Sequence, residues 1–217
     1  MTDFARARRT MVDCQIRPND VTVSRVVDAF LEVPRENFVP APKQALAYLD
    51  ADIAVGSSTP RYLIQPMVLA KLVQAAEITH TDNVLDIGVA TGYSSAVMSL
   101  LAAKVVALES DAGLVEDART ALAAYANVSV ATGPLEGGHA ASGPYDVIML
   151  QGSIDEVPDQ IFASLKEGGR LLAVIGQGRA ARATLFVRAD NDFSGRVIFD
   201  AAVAALPGFA RKPVFTF

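Results

Sequence analysis

Asn83-Val84-Leu85-Asp86-Ile87-Gly88-Val89-Ala90-Thr91-Gly92 is the stretch that decides the fold. Residues 83–88 are a short apolar run that carries one acid and ends in glycine, which reads as a buried strand entering a turn. The apolar segment 93–103 that follows is long enough for a helix. Strand, glycine turn and helix in that order are the opening of an open α/β sheet, where ligands bind at the carboxyl ends of the strands.

The pattern repeats downstream. Residues 104–108 read as a second strand, closed by Glu109, and 111–125 as a helix with Ser110 or Asp111 as its cap. Residues 127–131 and 145–150 read as further strands. A helix is expected near 158–166, stopped by Gly168-Gly169, before a fifth strand at 170–175. Apolar strands alternating with helices imply a parallel sheet covered on both faces. In the tail, 184–188 and 197–204 flank the turn-rich stretch 191–195 and read as an antiparallel pair. The expected fold is α/β, a Rossmann-like, doubly wound, mostly parallel sheet with an antiparallel C-terminal edge.

Upstream the pattern is helical and irregular. Val26, Val27, Phe30 and Leu31 share one face of a helix over 23–33, capped by Thr22 or Ser24 and stopped before Pro34. Residues 41–60 are turn-rich and without a period. Pro66 opens another helix, with Leu69, Leu72, Val73 and Ala76 inward. The expected organisation is a helical and substrate-loop subdomain at 1–80 and a cofactor-binding domain at 81–217, folding as one cooperative unit.

Composition narrows the function. Among 217 residues, 51% are hydrophobic and 20% charged, with a net charge of −5, which opposes a nucleic-acid partner that would demand a basic face. Cys14 is the single cysteine, so no intrachain disulfide can form, and with His80 and His139 far apart no metal site is expected. No apolar run reaches the roughly 18 residues needed to span a membrane. The arginines at 6, 8 and 9 precede no apolar stretch, so they do not read as a secretory signal. A cytoplasmic protein is expected.

The turn itself discriminates among ligands. A dinucleotide fingerprint needs G-x-G-x-x-G, and here Ala90 and Tyr93 replace its second and third glycines. No Gly-Lys-Ser/Thr follows, so the turn is not a P-loop. An acid just before the first glycine repels pyrophosphate and suits a cation. Glu109, closing the next strand, is placed to meet the two hydroxyls of a ribose. One acid for a cationic tail and one for a ribose describe S-adenosylmethionine, and the pair resembles the motif of Rossmann-like methyltransferases.

A second resemblance is narrower. Met11-Val12-Asp13-Cys14-Gln15-Ile16-Arg17, then Val33-Pro34-Arg35-Glu36-Asn37-Phe38-Val39-Pro40, resemble the protein-isoaspartate methyltransferases. Tyr48-Leu49-Asp50, Gly56, Gln65-Pro66, Asn127-Val128 and Tyr145-Asp146 continue the likeness across roughly residues 10–176. It implies a carboxyl O-methyltransferase acting on proteins or peptides that contain isoaspartate, with S-adenosylhomocysteine as product. It places the cofactor at Asp86, Gly88, Ala90, Gly92, Glu109, Ser110, Gly133 and Leu135, and Gln65 at the substrate. Of the arginines that could attract an acidic substrate, Arg61, Arg17 and Arg35, the one in the substrate loop, Arg61, is the candidate.

Three departures stand out. Ala90 replaces the family's middle glycine, and Gly133-Pro134-Leu135 replaces its G-D-G. The substrate loop 56–66 is two residues longer, and Ile64 stands where the family has its active-site serine. Ser58 and Thr59 are then the candidate hydroxyls. Two other readings stay open at this point, a methyltransferase of a different acceptor and a cofactor-binding protein with little transfer activity.

Overall fold

The computed structural model describes residues 3–56, 60–190 and 192–211. The candidate hydroxyls Ser58 and Thr59, and Asn191 in the expected tail turn, lie outside those residues. A seven-stranded sheet is built from β3 (Asn83–Ile87), β4 (Lys104–Glu109), β5 (Val128–Thr132), β6 (Tyr145–Ile154), β7 (Leu165–Ile175), β8 (Arg182–Ala189) and β9 (Asp192–Asp200). Their order across the sheet is β5-β4-β3-β6-β7-β8-β9. The first five are parallel and the last two antiparallel. A separate short hairpin pairs β1 (Ile53–Ala54) with β2 (Tyr62–Leu63).

Alternation along the strands builds two cores. Val84, Val105, Ala107, Val147 and Met149 face the cluster that holds the N-terminal elements and the next four helices. These are α2 (Ser24–Glu32), α3 (Pro66–Ala75), α4 (Tyr93–Ser99) and α5 (Ala112–Ala121). Leu85, Ile87, Val106, Leu108, Ile148 and Leu150 face a second cluster with Ile161, on α6 (Asp159–Ala163), and with Leu206 and Phe209. With a side-chain period of two, each strand must be apolar on both faces, which explains the unbroken apolar runs. Before α2, the chain runs through α1 (Phe4–Met11) and a π-helical turn at Val12–Ile16.

Several boundaries differ from those read in the sequence. The helix α2 has Val23 at its N-cap with no side-chain cap; Gln74 Oε1 of α3 accepts the N–H groups of Thr22 and Val23 instead, at 2.8 and 3.0 Å. A tertiary acceptor has taken over the work of a local cap. The aperiodic stretch after Pro40 contains a 3-10 turn at Ala41–Leu46 and the strand β1. The helix α4 stops at Ser99 because the chain turns back onto Asp82, whose carbonyl accepts from Ala103 and Lys104. Gly168-Gly169 does not end a helix. The helix α6 stops at Ala163, and the glycines lie within β7, where Tyr145 and Val147 of β6 face Leu165 and Arg170. The extra residues bulge out, and Gly168 takes φ +71°. The antiparallel pair ends at Asp200; residues 201–204 leave the sheet edge and cross back to β6.

Candidate functional site

The site forms where β3, β4 and β6 end, on the carboxyl edge of the sheet. Glu109 is the last residue of β4 and is fully buried. Its Oε1 accepts the N–H groups of Ser110 and Asp111 at 2.8 and 3.2 Å, from the turn leading into α5. Its Oε2 accepts the N–H of Ala90 at 2.8 Å. The same oxygen accepts from Nη2 of Arg61 at 2.5 Å, in an ion pair where Arg61 is only 3% exposed.

The glycine turn is held against β4, since Gly88 and Val89 donate to the carbonyl of Leu108. Gly88 has φ +79°, and a Cβ there would lie 2.6 Å from Leu206, 3.1 Å from Arg61 and 3.5 Å from Leu135. The space beside Gly88 is therefore bounded by side chains rather than backbone. Ala90 takes φ +53°, a left-handed conformation that its family glycine adopts without strain. Gly92 also has positive φ, but the atom it crowds is Leu122, 2.6 Å from its missing Cβ. The glycine therefore lets the turn approach the end of α5 closely.

Asp86 sits one layer deeper, on the face of the sheet that packs against α4. Ser94 and Ser95, in the first turn of that helix, both donate to its Oδ2 at 2.6 Å, and Gln151 Nε2 donates to its Oδ1 at 2.6 Å. Burial raises its pKa from 3.8 to about 6, against the lowering effect of those three donors; the nearby Glu109 charge pushes the same way as burial.

The remaining expected residues divide. Ser110, Gly133 and Leu135 converge on Glu109 and Gly88: Gly133 donates to the Glu109 carbonyl at 3.1 Å, and Leu135 is buried beside Gly88. Gln65 instead bonds to Asp52 through its N–H and to the Ala202 carbonyl through its amide. Ile64 is buried in the apolar core, with its carbonyl held by Nη2 of Arg35 at 2.8 Å. Arg35 is fully buried and lies 4.6 Å from the Tyr93 ring centroid. No local signal in the sequence marks Leu206, Gln151 or Gly152 as neighbours of this site. Leu206 reaches the site because its N–H bonds to the Ser153 carbonyl, extending β6 with a parallel bridge between Ser153 and Ala205. Among the described residues, no cluster of three His, Cys, Asp or Glu is placed to hold a metal, and no helix is long and apolar enough to cross a membrane.

Comparison with known proteins assigns the chain. The family model for protein-L-isoaspartate(D-aspartate) O-methyltransferase matches residues 6–204. The chain belongs to this family. It is an S-adenosylmethionine-dependent O-methyltransferase of that kind. A protein-L-isoaspartate O-methyltransferase from Koribacter versatilis is 36% identical over 178 residues, covering 81% of this chain and 79% of that one. One from a Roseiflexus species is 34% identical over 192 residues, covering 88% and 86%. A solved protein-L-isoaspartate O-methyltransferase superposes with a TM-score of 0.82 at 27% identity, covering 93% of this chain and 66% of that one. A Plasmodium falciparum structure solved with S-adenosyl-L-homocysteine shares the fold, with a TM-score of 0.75 at 15% identity, over 95% of this chain and 99% of that one.

The residues present fit that cofactor. A carboxylate stands at the end of β4, and beside it a positive-φ glycine faces displaceable side chains. The acid that the family places after β5 is lacking, since Pro134 and Leu135 stand there.

Proposed function

We propose that the chain methylates a side-chain or backbone carboxylate of isoaspartyl proteins or peptides, with Glu109, Gly88 and the backbone around Ala90, Ser110 and Gly133 holding S-adenosylmethionine. The observation that carries this reading is Glu109, buried at the end of β4 with its carboxylate turned onto the glycine turn. When bound, the cofactor supplies an electrophilic methyl group on a sulfonium. Glu109 would bind the ribose hydroxyls, and the ionised form of Asp86 would favour the cationic end. A carboxylic acid with a pKa of about 4 is already ionised at neutral pH, so the acceptor needs no strong base. The work left to the protein is to orient the acceptor and exclude water.

Arg61 is the cation nearest this centre and supplies the charge that an acidic acceptor requires, while Gln65 braces the same segment. Ser58 and Thr59 are the hydroxyls proposed to orient the acceptor, because Ile64 has none. Absence of one such contact can lower a rate by on the order of 10²-fold, so slow turnover on isoaspartyl peptide is expected. The protein is proposed to work in the cytoplasm, where aged proteins with isoaspartyl sites would be its partners.

The test is a labelled-methyl assay on isoaspartyl peptide beside cell extract, with the natural chain and Ile64→Ser. Label in the peptide, rising in Ile64→Ser, supports the reading. Label only in extract moves the acceptor elsewhere, and no label in either removes transfer activity from the account.

A further inference from the structure

We propose that Arg61 is a built-in competitor of the cofactor, holding the ribose-binding carboxylate of Glu109 in the free protein and leaving it when a nucleoside binds. This rests on the cofactor reading above and adds a contact that the free chain must break.

Glu109 is saturated. Its two oxygens offer about four lone-pair sites, and they take Ser110 N–H, Asp111 N–H, Ala90 N–H and Arg61 Nη2, with the Ser110 hydroxyl at a longer 3.4 Å. The three N–H donors belong to the backbone of two turns and cannot withdraw without unfolding them. Arg61 arrives from a separate hairpin, 48 residues away in sequence, on a long side chain. Apart from the long contact of the Ser110 hydroxyl, it is the donor that can yield to a diol.

Arg61 also occupies the space such a ligand needs. With Leu206 it stands over Gly88, at 3.1 and 2.6 Å from the position of the missing Cβ. Leu206 likewise stands 2.7 Å from the missing Cβ of Gly152. Among the described residues, the cavity lined by Arg61, Gln151 and Leu206 holds about 10 Å³, room for one water and far from a nucleoside. Both obstructing groups are side-chain ends.

The pair is incompletely satisfied as well. Nε of Arg61 is buried and finds no partner among the described residues. A buried donor left unbonded carries a desolvation cost that is relieved when the side chain reaches water. The closed arrangement thus holds one strong contact and one uncompensated group, which suits a contact that must be released.

The affinity of a ligand is reduced by the fraction of free protein able to receive it. If Arg61 holds Glu109 in nine-tenths or more of the free molecules, removing the guanidinium tightens binding by roughly tenfold or more. Calorimetry with S-adenosylhomocysteine on the natural chain and on Arg61→Met measures this. A second readout uses the natural chain alone and survives if the variant fails to fold. Phenylglyoxal labelling of Arg61, followed by mass spectrometry, should be slow in the free protein and rise when S-adenosylhomocysteine saturates.

Tighter binding by Arg61→Met, or binding by that variant alone, supports the proposal, as does ligand-enhanced labelling. Binding by the natural chain with unchanged or weaker binding by the variant overturns the competitor role and leaves the cofactor reading standing. Labelling that does not rise with ligand overturns it in the same way. No binding by either protein overturns both.

Discussion

Titration of Asp86 should make the protein lose stability as pH rises, the reverse of the usual behaviour of a structural carboxylate. Three hydrogen bonds favour its charge and complete burial opposes it, with burial the stronger, so the folded pKa is raised from 3.8 to about 6. A raised folded pKa means that the native state binds the proton more tightly than the unfolded chain. The contribution is therefore fully present below about pH 3.8 and is lost as pH rises through about 6. The full difference corresponds to roughly 3 kcal/mol, of which about 2 kcal/mol falls between about pH 4.5 and 7.5. Asp146 and Asp155, whose pKa values are lowered, contribute in the opposite direction at more acid pH, so the comparison must be with a matched variant. Asp86→Asn serves, since Ser94 and Ser95 can rotate their hydroxyls and Gln151 can turn its amide to meet the new group. Urea unfolding of both proteins across that window should show the variant gaining about 2 kcal/mol relative to the natural chain as pH rises. A difference that stays flat within about 0.5 kcal/mol would show that the hydrogen bonds balance burial, and one that falls with pH that they outweigh it.

Glu109→Ala should weaken S-adenosylhomocysteine binding by about 1.5–3 kcal/mol, the usual worth of hydrogen bonds to a charged group, and calorimetry showing unchanged affinity would remove Glu109 from the cofactor set. Ala90→Gly should stabilise the protein by roughly 0.5–1 kcal/mol, because relief of a left-handed alanine exceeds the entropy that glycine adds to the unfolded chain; a loss of stability in denaturant titration would contradict this. Thermal melts should show one transition that chelator and reductant leave in place, as expected if residues 1–80 and 81–217 fold as one unit; two separated transitions, or a large drop with chelator, would refute it.

The sheet was legible because its strands carry apolar residues on both faces, and 83–88, 104–108 and 145–150 show this without interruption. The turn was legible from Asp86, Gly88 and Glu109, whose spacing is local. What escaped depended on distant partners. Arg61 reads as a loop residue near a substrate, and nothing adjacent to it reveals that it pairs with Glu109. Leu206 lies in an unremarkable apolar tail and enters the site only because the chain rejoins β6 at Ser153. The close approach of Gly92 to Leu122, 30 positions on, is likewise invisible from its neighbours in sequence. Gly168 carries a true signal of positive φ, but a bulged strand uses that conformation as readily as a helix end.

Asp52 ties distant parts of the chain together at one carboxylate, one oxygen accepting the N–H of Gln65 and the other the N–H of Ala204. Those two contacts span 13 and 152 positions of sequence, so closing the second costs far more chain entropy than closing the first. The parallel sheet can consolidate from nearer neighbours, while the wall that Leu206 contributes waits on this long closure. Local opening should therefore begin at that wall. Amide exchange at Ala204 and Leu206 would run ahead of exchange in β3 and β4, loosening the cradle while the sheet beneath it stays folded.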